Sequence, residues 1–578
     1  MRLSEALTIL KNHSALEGGP FRAFLACSFT PLHLQTFLVA RLRLALPQRP
    51  IEMQTGLYGD LLGSLERLKS GSLDSAIILL EWVDLDPRLG LRSLGGWRLM
   101  DFSDILNFAQ ARLAHIENAI ASICQNCPVV LCLPTLPLPP LQVFPVWKAG
   151  LLDLQLREFL YSFAVRLTKN QSVKLVSPDY LDCISPPGDR FDVKGEISNG
   201  FPYKLPHADA VAKLLTHLIQ GSTPKKGLIT DLDHTLWKGI LGDIGTREIS
   251  WSLDHKSHMH GLYQELLRSL ASTGALLAVA SKNDPAQVEE AFDRQDLILG
   301  REFIFPFQVH WGPKSGSVAR ILEAWNISAD SVVFVDDSPT ELAEVQAAHP
   351  EIECLQFPTD PHGVYHLITR LRNLFAKDSV SGEDAIRLRS IRNTHRLRSE
   401  SHTFGQTPDA FLKQAESELI FSMTKMPWDP RVLELINKTN QFNLNGVRYT
   451  EHDLRRLLSR PHSFVLKASY QDKFGPLGKI AILLGRVDGQ TVYVDSWVMS
   501  CRAFSRRIEH ECLGHLFKIF GADQIQFEFV ATQRNKPLQE FFAELLGAPP
   551  ETGLYISKKL FFDKRPRSYH RVQEEVNG

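Results

Sequence analysis

Carboxylates at the ends of apolar segments constrain the fold of this chain most. Residues 226–240 read KGLITDLDHTLWKGI, so a short apolar run ends in Asp231 and Asp233. Another apolar run, SVVFV, ends in Asp336 and Asp337. Buried carboxylates are costly unless a metal ion or hydrogen bonds compensate them. Because the carboxyl ends of parallel strands meet in one crevice, the pattern predicts a doubly wound α/β sheet with an acidic site at its edge.

Two further segments supply a lysine and strand-end polar groups, which together with the carboxylates form the set of groups that a phosphoryl-transfer site would need. AVASKND places Ser281, Lys282 and Asn283 at the end of an apolar strand, and WGPKSGS places Lys314 in a Gly/Pro-rich turn. These three strand-end residues, with Thr235, are predicted to bind the substrate, and Lys314 to neutralise the phosphoryl charge. Each residue type alone is common in turns and on surfaces. It is their combination in this order that indicates one site.

The chemistry of phosphoryl transfer gives the carboxylates distinct roles. Asp231 comes first after its strand and is the predicted nucleophile, forming an aspartyl-phosphate. Asp233 is the predicted acid and base, which protonates the leaving oxygen and later deprotonates water. The predicted Mg²⁺ ligands are Asp231, Asp336 or Asp337, and the backbone carbonyl of Asp233, all of them oxygens.

Composition excludes several classes of protein. The 64 basic and 65 acidic residues nearly cancel, which argues against a nucleic-acid partner. No apolar run of about 18 residues predicts a membrane span, and the N-terminus lacks the apolar core of a signal peptide. The few, scattered cysteines suit a reducing cytoplasm. Cys124 and Cys127 form a lone C-x-x-C, which is either a zinc site or two buried cysteines.

The chain divides into several predicted regions. Residues 1–222 alternate strand and helix patterns and are predicted to form an α/β domain with a parallel sheet. Residues 223–385 repeat that alternation and contain the acidic motifs. Residues 386–416 are predicted to be a connecting helix and linker. Residues 417–578 predict an antiparallel sheet with a few helices.

Several motifs resemble known families. Asp-x-Asp-x-Thr after an apolar strand is similar to the haloacid dehalogenase (HAD) superfamily of phosphoryl-transfer enzymes. The longer string DLDHTLWKGILGDIG resembles the FkbH-like subfamily, and so do the segments 437–454 and 494–510. Segment 531–547 resembles the closing strand and helix of a GNAT-type acyltransferase, and the first region resembles an SGNH-like domain. The short intervals between the HAD motifs imply a capless HAD domain, whose open site suits a bulky or protein-bound substrate.

The resemblance implies a glyceryl transferase/phosphatase. Such a protein takes a glyceryl unit from 1,3-bisphosphoglycerate, removes the remaining phosphate and loads glyceryl onto the phosphopantetheine arm of an acyl carrier protein. The product enters polyketide-type biosynthesis. Two alternatives remain at this point. One is a plain Mg²⁺-dependent phosphatase of a small metabolite with a non-catalytic GNAT-like domain, and the other is a non-catalytic scaffold that docks a carrier protein.

Acyl transfer would also need a nucleophile and groups that hold the acyl chain. Cys501 lies between a predicted strand and helix, where Arg502 could help to lower its thiol pKa; the alternative is a small buried core residue. The loop at Arg502 lacks the glycines of an acyl-CoA loop, so its arginines could instead meet a pantetheine phosphate or an acidic carrier protein. Asn440, Gln441 and Asn443 are predicted to hold the acyl or pantetheine group, unless they cap a loop.

Overall fold

The protein is described by a computed structural model and falls into two compact units. One unit comprises Met1–Ser222 and Thr450–Arg455, and the other Thr223–Tyr449 and Arg456–Gly578. The structure describes residues 1–11, 19–68, 73–93, 101–138, 145, 147–221, 224–377, 384, 387–389, 391–392, 412–413, 415–425, 429–439, 441–473, 475–500, 503–504 and 506–575. Most of the predicted linker 386–416 lies outside these residues, so the division of the second unit into 223–385, 386–416 and 417–578 stays a prediction.

A parallel sheet forms the centre of the first unit, with strand order β2-β1-β3-β4-β5. Its strands are β1 Phe21–Ala26, β2 Ile51–Thr55, β3 Ser75–Leu79, β4 Val129–Cys132 and β5 Val173–Leu175. Along β3, Ile77 and Leu79 join one apolar core, whereas Ala76 and Ile78 join the other. Successive side chains of a strand point to opposite faces, so both faces of this sheet are covered.

Helices of the first unit provide the other half of these cores. They are α1 Leu3–Lys11, α2 Leu32–Ala45, α3 Leu61–Arg67, α4 Trp82–Leu85, α5 Phe102–Ile123, α6 Leu151–Leu167, α7 Pro178–Ile184, α8 Val193–Asn199 and α9 Leu205–Gln220. Helix α5 buries residues at helical spacing, among them Ala109, Leu113 and Ile116. This spacing gives the helix one apolar face, which packs toward the sheet.

A second parallel sheet has the order β10-β9-β6-β7-β8. Its strands are β6 Gly227–Thr230, β7 Leu276–Ser281, β8 Ile304–Val309, β9 Val332–Asp336 and β10 Glu353–Gln356. The helices of this region are α10 Leu241–Ile244, α11 His258–Ser272, α12 Pro285–Phe292, α13 Lys314–Trp325, α14 Pro339–Ala348 and α15 Pro361–Phe375. Strands β6, β7 and β9 are buried along their whole length, and they are neighbours in the sheet. Their carboxyl ends therefore lie side by side.

Close packing fixes the start of β6. A Cβ added to Gly227 would lie 2.4 Å from the ring of Trp325 in α13, so only glycine leaves room for the indole. The indole is buried, and its Nε1 donates a hydrogen bond of 2.6 Å to the carbonyl of Phe305. Helix α13 is thereby held against the sheet, and its first residue is Lys314.

The third sheet is mixed, with the order β16-β15-β14-β13-β12-β11-β17. Its strands are β11 Glu418–Ser422, β12 Ser463–Asp472, β13 Gly475–Asp488, β14 Thr491–Met499, β15 Gln524–Phe527, β16 Tyr555–Ser557 and β17 Arg571–Glu574. The helices of this region are α16 Pro430–Lys438, α18 Ile508–Phe520, α19 Lys536–Leu546 and α20 Lys558–Lys564, whereas α17 Glu451–Leu458 begins in the segment Thr450–Arg455 of the first unit.

Strand direction in the third sheet corrects the prediction of an antiparallel sheet. The pairs β14–β15 and β11–β17 are parallel, whereas the other pairs are antiparallel. Helix α18 connects β14 to β15, and such a crossover returns the chain in the same direction, which makes the two strands parallel. In the part of the chain that the structure describes, no helix is long and apolar enough to cross a membrane.

Candidate active site

The carboxyl edge of the second sheet brings the predicted metal ligands together. Asp231 directly follows β6, and Asp336 is the last residue of the neighbouring strand β9. One carboxylate oxygen from each of Asp231, Asp336 and Asp337 lies within 4.8 Å of the other two. Asp231 and Asp336 are buried, whereas Asp337 is partly exposed. The edge of the sheet is thus a compact acidic cluster with one open side.

Lys314 lies between two of these carboxylates. Its Nζ is 2.6 Å from Asp336 Oδ2 and 3.1 Å from Asp231 Oδ1, and its side chain is only 4% exposed. Burial acts to lower the pKa of Lys314, but the two carboxylates outweigh burial and hold this pKa above its ordinary value. Lys314 therefore remains an ammonium at neutral pH, in a position to neutralise negative charge at the cluster.

Burial shifts the two carboxylates in the other direction. Burial raises the pKa of Asp231 above its ordinary value, although Lys314 and Ser281 act to lower it. Burial, together with the charge of Asp231, raises the pKa of Asp336 to about 7. Two close, buried carboxylates carry two negative charges when both are ionised, and a single ammonium neutralises only one of them. The cluster thus favours an additional cation.

The chemistry of the cluster fits Mg²⁺. Asp231, Asp336 and Asp337 offer only oxygen atoms, the ligands that this hard cation prefers, and neither nitrogen nor sulfur is part of the group. The carboxylate of Asp233 is not part of the group, which leaves only the backbone carbonyl of Asp233 for the metal role predicted from the sequence. Of all the described residues, only the three aspartates form a group of three or more His, Cys, Asp or Glu that could hold a metal.

Three donors hold the carboxylate of Asp233. Its Oδ1 accepts hydrogen bonds from Trp237 Nε1 at 2.9 Å and from the backbone N–H of Leu241 at 3.1 Å. Its Oδ2 accepts a bond of 3.0 Å from Asn283 Nδ2, which lies 3.2 Å from Ser281 Oγ. The segment that follows the motif and the residues after β7 therefore fix the orientation of the predicted acid and base.

The predicted substrate-binding residues have different surroundings. Ser281 and Asn283 are buried beside the acidic residues. The side chain of Thr235 is fully buried, and the backbone carbonyl of Thr235 accepts a bond of 3.0 Å from His260 Nδ1. Lys282 Nζ lies 2.7 Å from Glu341 Oε1 in an ion pair with helix α14.

Trp237 and Glu341 were missed as contributors to the site. Trp237 lies inside the motif string, four residues after Asp233, and this spacing was the available signal. Nothing in the sequence links Lys282 with Glu341, since 59 residues separate them. Such partners are visible only once the helices are packed on the sheet.

The residues predicted for acyl transfer are only partly described. Asn440, Cys501 and Arg502 lie outside the described residues. The side chain of Asn443 is buried and closes a loop: its Nδ2 donates to the Thr439 carbonyl at 3.0 Å, and its Oδ1 accepts from the backbone N–H of Gly446 at 2.8 Å. These bonds fit the loop-capping interpretation of Asn443.

Two residues that follow Cys501 in the sequence, Arg506 and His510, are packed into the mixed-sheet region. Arg506 is 3% exposed; its guanidinium lies over the ring of Tyr470, 5.4 Å from the centroid, and 3.8 Å from Asp472. Burial and the charge of Arg507 lower the pKa of His510 to about 4, so its imidazole is neutral at pH 7. Its contacts with Tyr470 and Asp472 show that Arg506 packs inside the mixed-sheet region.

In the first unit, His207 has a structural environment. Its Nε2 lies 2.9 Å from Thr135 Oγ1, its Nδ1 lies 2.9 Å from Ser185 Oγ, and the side chain is fully buried. Burial and the charge of Arg190 lower its pKa to about 3. Both ring nitrogens have hydroxyl partners, so His207 is a satisfied core histidine.

Comparison with known proteins places the fold. No family model matches the chain, and no curated protein matches it. The crystal structure of the N-terminal part of the protein BF1531 from Bacteroides fragilis, containing a phosphatase domain complexed with Mg, is 21% identical. The match covers 66% of this chain and 100% of that one, with a TM-score of 0.50. A putative GDSL-like lipase from Parabacteroides merdae is 16% identical, and the match covers 36% of this chain and 97% of that one with a TM-score of 0.23.

The first of these similarities, at this identity, shows the fold alone. The prediction of a multidomain α/β protein is confirmed: two Rossmann-like parallel sheets and a mixed sheet follow one another along the chain. The phosphatase-domain structure shares this fold.

Proposed function

We propose that this chain is a Mg²⁺-dependent phosphatase that forms an aspartyl-phosphate on Asp231. The observation that carries the proposal is the acidic cluster at the strand ends, with Lys314 Nζ between two of its carboxylates. An arrangement of three carboxylates and a buried ammonium is expensive for a protein to hold, and perturbed ionisable groups of this kind cluster at functional sites.

The roles in the reaction follow from the contacts of each residue. Asp231 attacks phosphorus and the bond to the leaving oxygen breaks, while Lys314 neutralises the charge on the phosphoryl oxygens. Asp233 gives its proton to the leaving oxygen, and then takes a proton from the water that hydrolyses the aspartyl-phosphate. Asn283 and Trp237 keep the Asp233 carboxylate oriented. Bound Mg²⁺ would be held by the aspartates and would supply charge stabilisation for the transferring group.

At a finer level, we propose that the phosphatase is one half of a glyceryl transferase/phosphatase. The support is the resemblance of DLDHTLWKGILGDIG and of segments 437–454 and 494–510 to FkbH-like proteins. In this proposal a thiolate, that of Cys501, attacks the acyl carbon of 1,3-bisphosphoglycerate and releases inorganic phosphate. The phosphatase site then removes the 3-phosphate, and the glyceryl group passes to the thiol of a carrier protein.

Intact-protein mass spectrometry tests the proposed phosphatase activity and the proposed glyceryl transfer in one experiment. A phosphopantetheinylated acyl carrier protein is incubated with the full chain, Mg²⁺ and 1,3-bisphosphoglycerate, and we expect the carrier to gain one glyceryl group. The Cys501→Ala variant should leave the carrier unloaded. Asp231→Asn should instead accumulate a phosphoglyceryl adduct on the enzyme, removable by hydroxylamine, because the thiol acts before the phosphatase site.

The possible outcomes distinguish a glyceryl transferase/phosphatase from a plain phosphatase. If Cys501→Ala loads the carrier normally, the thiol is structural and the transfer mechanism is wrong. If the wild type releases phosphate from phosphorylated metabolites but never loads a carrier, the plain phosphatase is the better account. Phosphate release should stop in excess chelator and return with Mg²⁺ rather than Zn²⁺, since every proposed ligand is an oxygen. Full activity in chelator would contradict the metal site.

A further inference from the structure

A cleft in the second unit is lined jointly by the phosphatase-type region and the mixed-sheet region. Lys226 and Leu276 belong to the former, whereas Arg431 and Gln441 belong to the latter. Lys226 precedes β6, and Leu276 is the first residue of β7, so the cleft lies at the amino-terminal edge of that parallel sheet. Asp231 lies beyond the opposite end of β6. Five residue steps along the strand separate Lys226 from Asp231 by roughly 16 Å, so the cleft is distinct from the acidic site.

Positive charge dominates the walls of this cleft. The cations among the described lining residues are Lys226, Arg387, Arg431 and Lys438. The carboxylate among the same residues is that of Glu434, and Arg387 is paired at 2.7 Å with a second carboxylate, that of Asp384. Excess positive charge beside a concave surface favours an anionic ligand, with a phosphate as the common biological case.

Helix α16 fixes these charges in place. Arg431, Glu434 and Lys438 share one face of the helix; Arg431 Nη1 lies 2.7 Å from Glu434 Oε2, and Lys438 Nζ lies 3.0 Å from Glu434 Oε1. Although burial acts to raise the pKa of Glu434, Arg431 and Lys438 hold it below its ordinary value. Lys226 Nζ donates a bond of 3.0 Å to the carbonyl of Lys438. One carboxylate is thus shared by two cations, with a third ammonium beside them.

Gln441 adds a second, independent indication of a ligand. Its Oε1 is buried and accepts no hydrogen bond from any described residue, although the side chain lines the cleft. A buried acceptor without a partner is costly. A ligand with an N–H group would satisfy it, whereas a phosphate alone, having only acceptor oxygens at neutral pH, would not.

We propose that this cleft binds a phosphopantetheine arm, with its phosphate at Arg431 and Lys438 and an amide N–H at Gln441. The arm combines the two chemistries that the cleft offers, an anion and amide donors on a slender chain. This proposal rests on the proposed acyl transfer, because the arm is the acceptor in that reaction. Met499 and Ser500 also line the cleft, and Ser500 precedes Cys501 in the sequence.

Calorimetric titration of the full chain tests the assignment with three probes: 4′-phosphopantetheine, pantetheine and 3-phosphoglycerate. We expect the wild type to bind phosphopantetheine at least tenfold more tightly than pantetheine, since a charge-assisted contact to phosphate is strong. The double variant Arg431→Gln/Lys438→Gln should lose about tenfold for phosphopantetheine and almost nothing for pantetheine. Gln441→Met should weaken both pantetheine probes to the same extent. Lys518→Gln, whose side chain is 75% exposed and outside the cleft, is the matched control and should bind like the wild type.

Each outcome is decisive. If the double variant binds phosphopantetheine as the wild type does, the proposal is wrong; the single variants Arg431→Gln and Lys438→Gln answer the same question should the double variant fail to fold. If only 3-phosphoglycerate loses affinity, the cleft holds the phosphate of the substrate and the pantetheine assignment fails. If the wild type releases phosphate but binds phosphopantetheine and pantetheine equally tightly, the proposed ligand of the cleft is wrong, whereas the proposed phosphatase activity is unaffected.

Discussion

Replacing Lys314 with methionine should destabilise the metal-free protein strongly. Methionine matches lysine in length but leaves Asp231 and Asp336 buried without their shared cation. At an effective dielectric constant of about 20, the contacts of 2.6 and 3.1 Å are worth about 6 and 5 kcal/mol of gross attraction. Desolvation offsets much of this, and breaking a buried pair costs about 3–5 kcal/mol. For a domain of this size that corresponds to a fall in Tm of roughly 6 °C or more.

Scanning calorimetry in excess chelator would measure this loss, and a second scan with saturating Mg²⁺ would test its cause. Mg²⁺ should raise the Tm of the same transition, because a cation that binds the folded carboxylates stabilises them by mass action. The control Lys518→Met removes an exposed lysine and should change the stability by less than about 0.5 kcal/mol. If Lys314→Met melted within a degree of the wild type in chelator, the interpretation of Lys314 as the counterion of a buried acidic cluster would be wrong.

Three other perturbations have clear expected results. Asn283→Ala should lower kcat about tenfold or more with little change in KM, because Asp233 loses an orienting donor, whereas a fall in substrate affinity alone would contradict that role. Burial raises the pKa of Glu81 in the first unit to about 7, against 4.5 for the ordinary group, so the folded state holds the extra proton and stability should fall as pH rises between these values. Melts of Glu81→Gln should show a flatter pH dependence, and an unchanged slope would refute this cause. Gly227→Ala should destabilise the protein by about 1–3 kcal/mol in denaturant titrations, because its Cβ meets Trp325; wild-type stability would show that α13 can move aside.

The buried strands could be predicted from the sequence because their apolar runs are nearly continuous. Strands β6, β7 and β9 contain LIT, LLAVA and VVFV, and each ends in a polar group of the site. Strands at the sheet edges have weaker signals in the sequence. Strand β2 is mostly exposed, and β8 contains Pro306, which weakens a strand prediction but is tolerated at an edge.

Side-chain direction could not be predicted in the same way. Ser281, Lys282 and Asn283 are consecutive, yet only Ser281 and Asn283 lie beside the acidic residues, whereas Lys282 pairs with Glu341. Successive residues at a strand end point to different sides, and their partners come from helices distant in the sequence. The cleft at Arg431 likewise could not be predicted from the sequence, because the residues that line it come from two regions and meet only in the folded protein.

The central claim is that Asp231 is the phosphoryl acceptor, and mass spectrometry after acid quench tests it most directly. Full chain with Mg²⁺ is stopped during turnover of a 3-phosphoglyceryl thioester of pantetheine, and its peptides are analysed. We predict one phosphoryl group, labile to hydroxylamine, on the peptide that contains Asp231. Asp231→Asn should carry none and should release phosphate more than about a thousandfold more slowly. Phosphate release by Asp231→Asn within about tenfold of the wild-type rate would contradict the account.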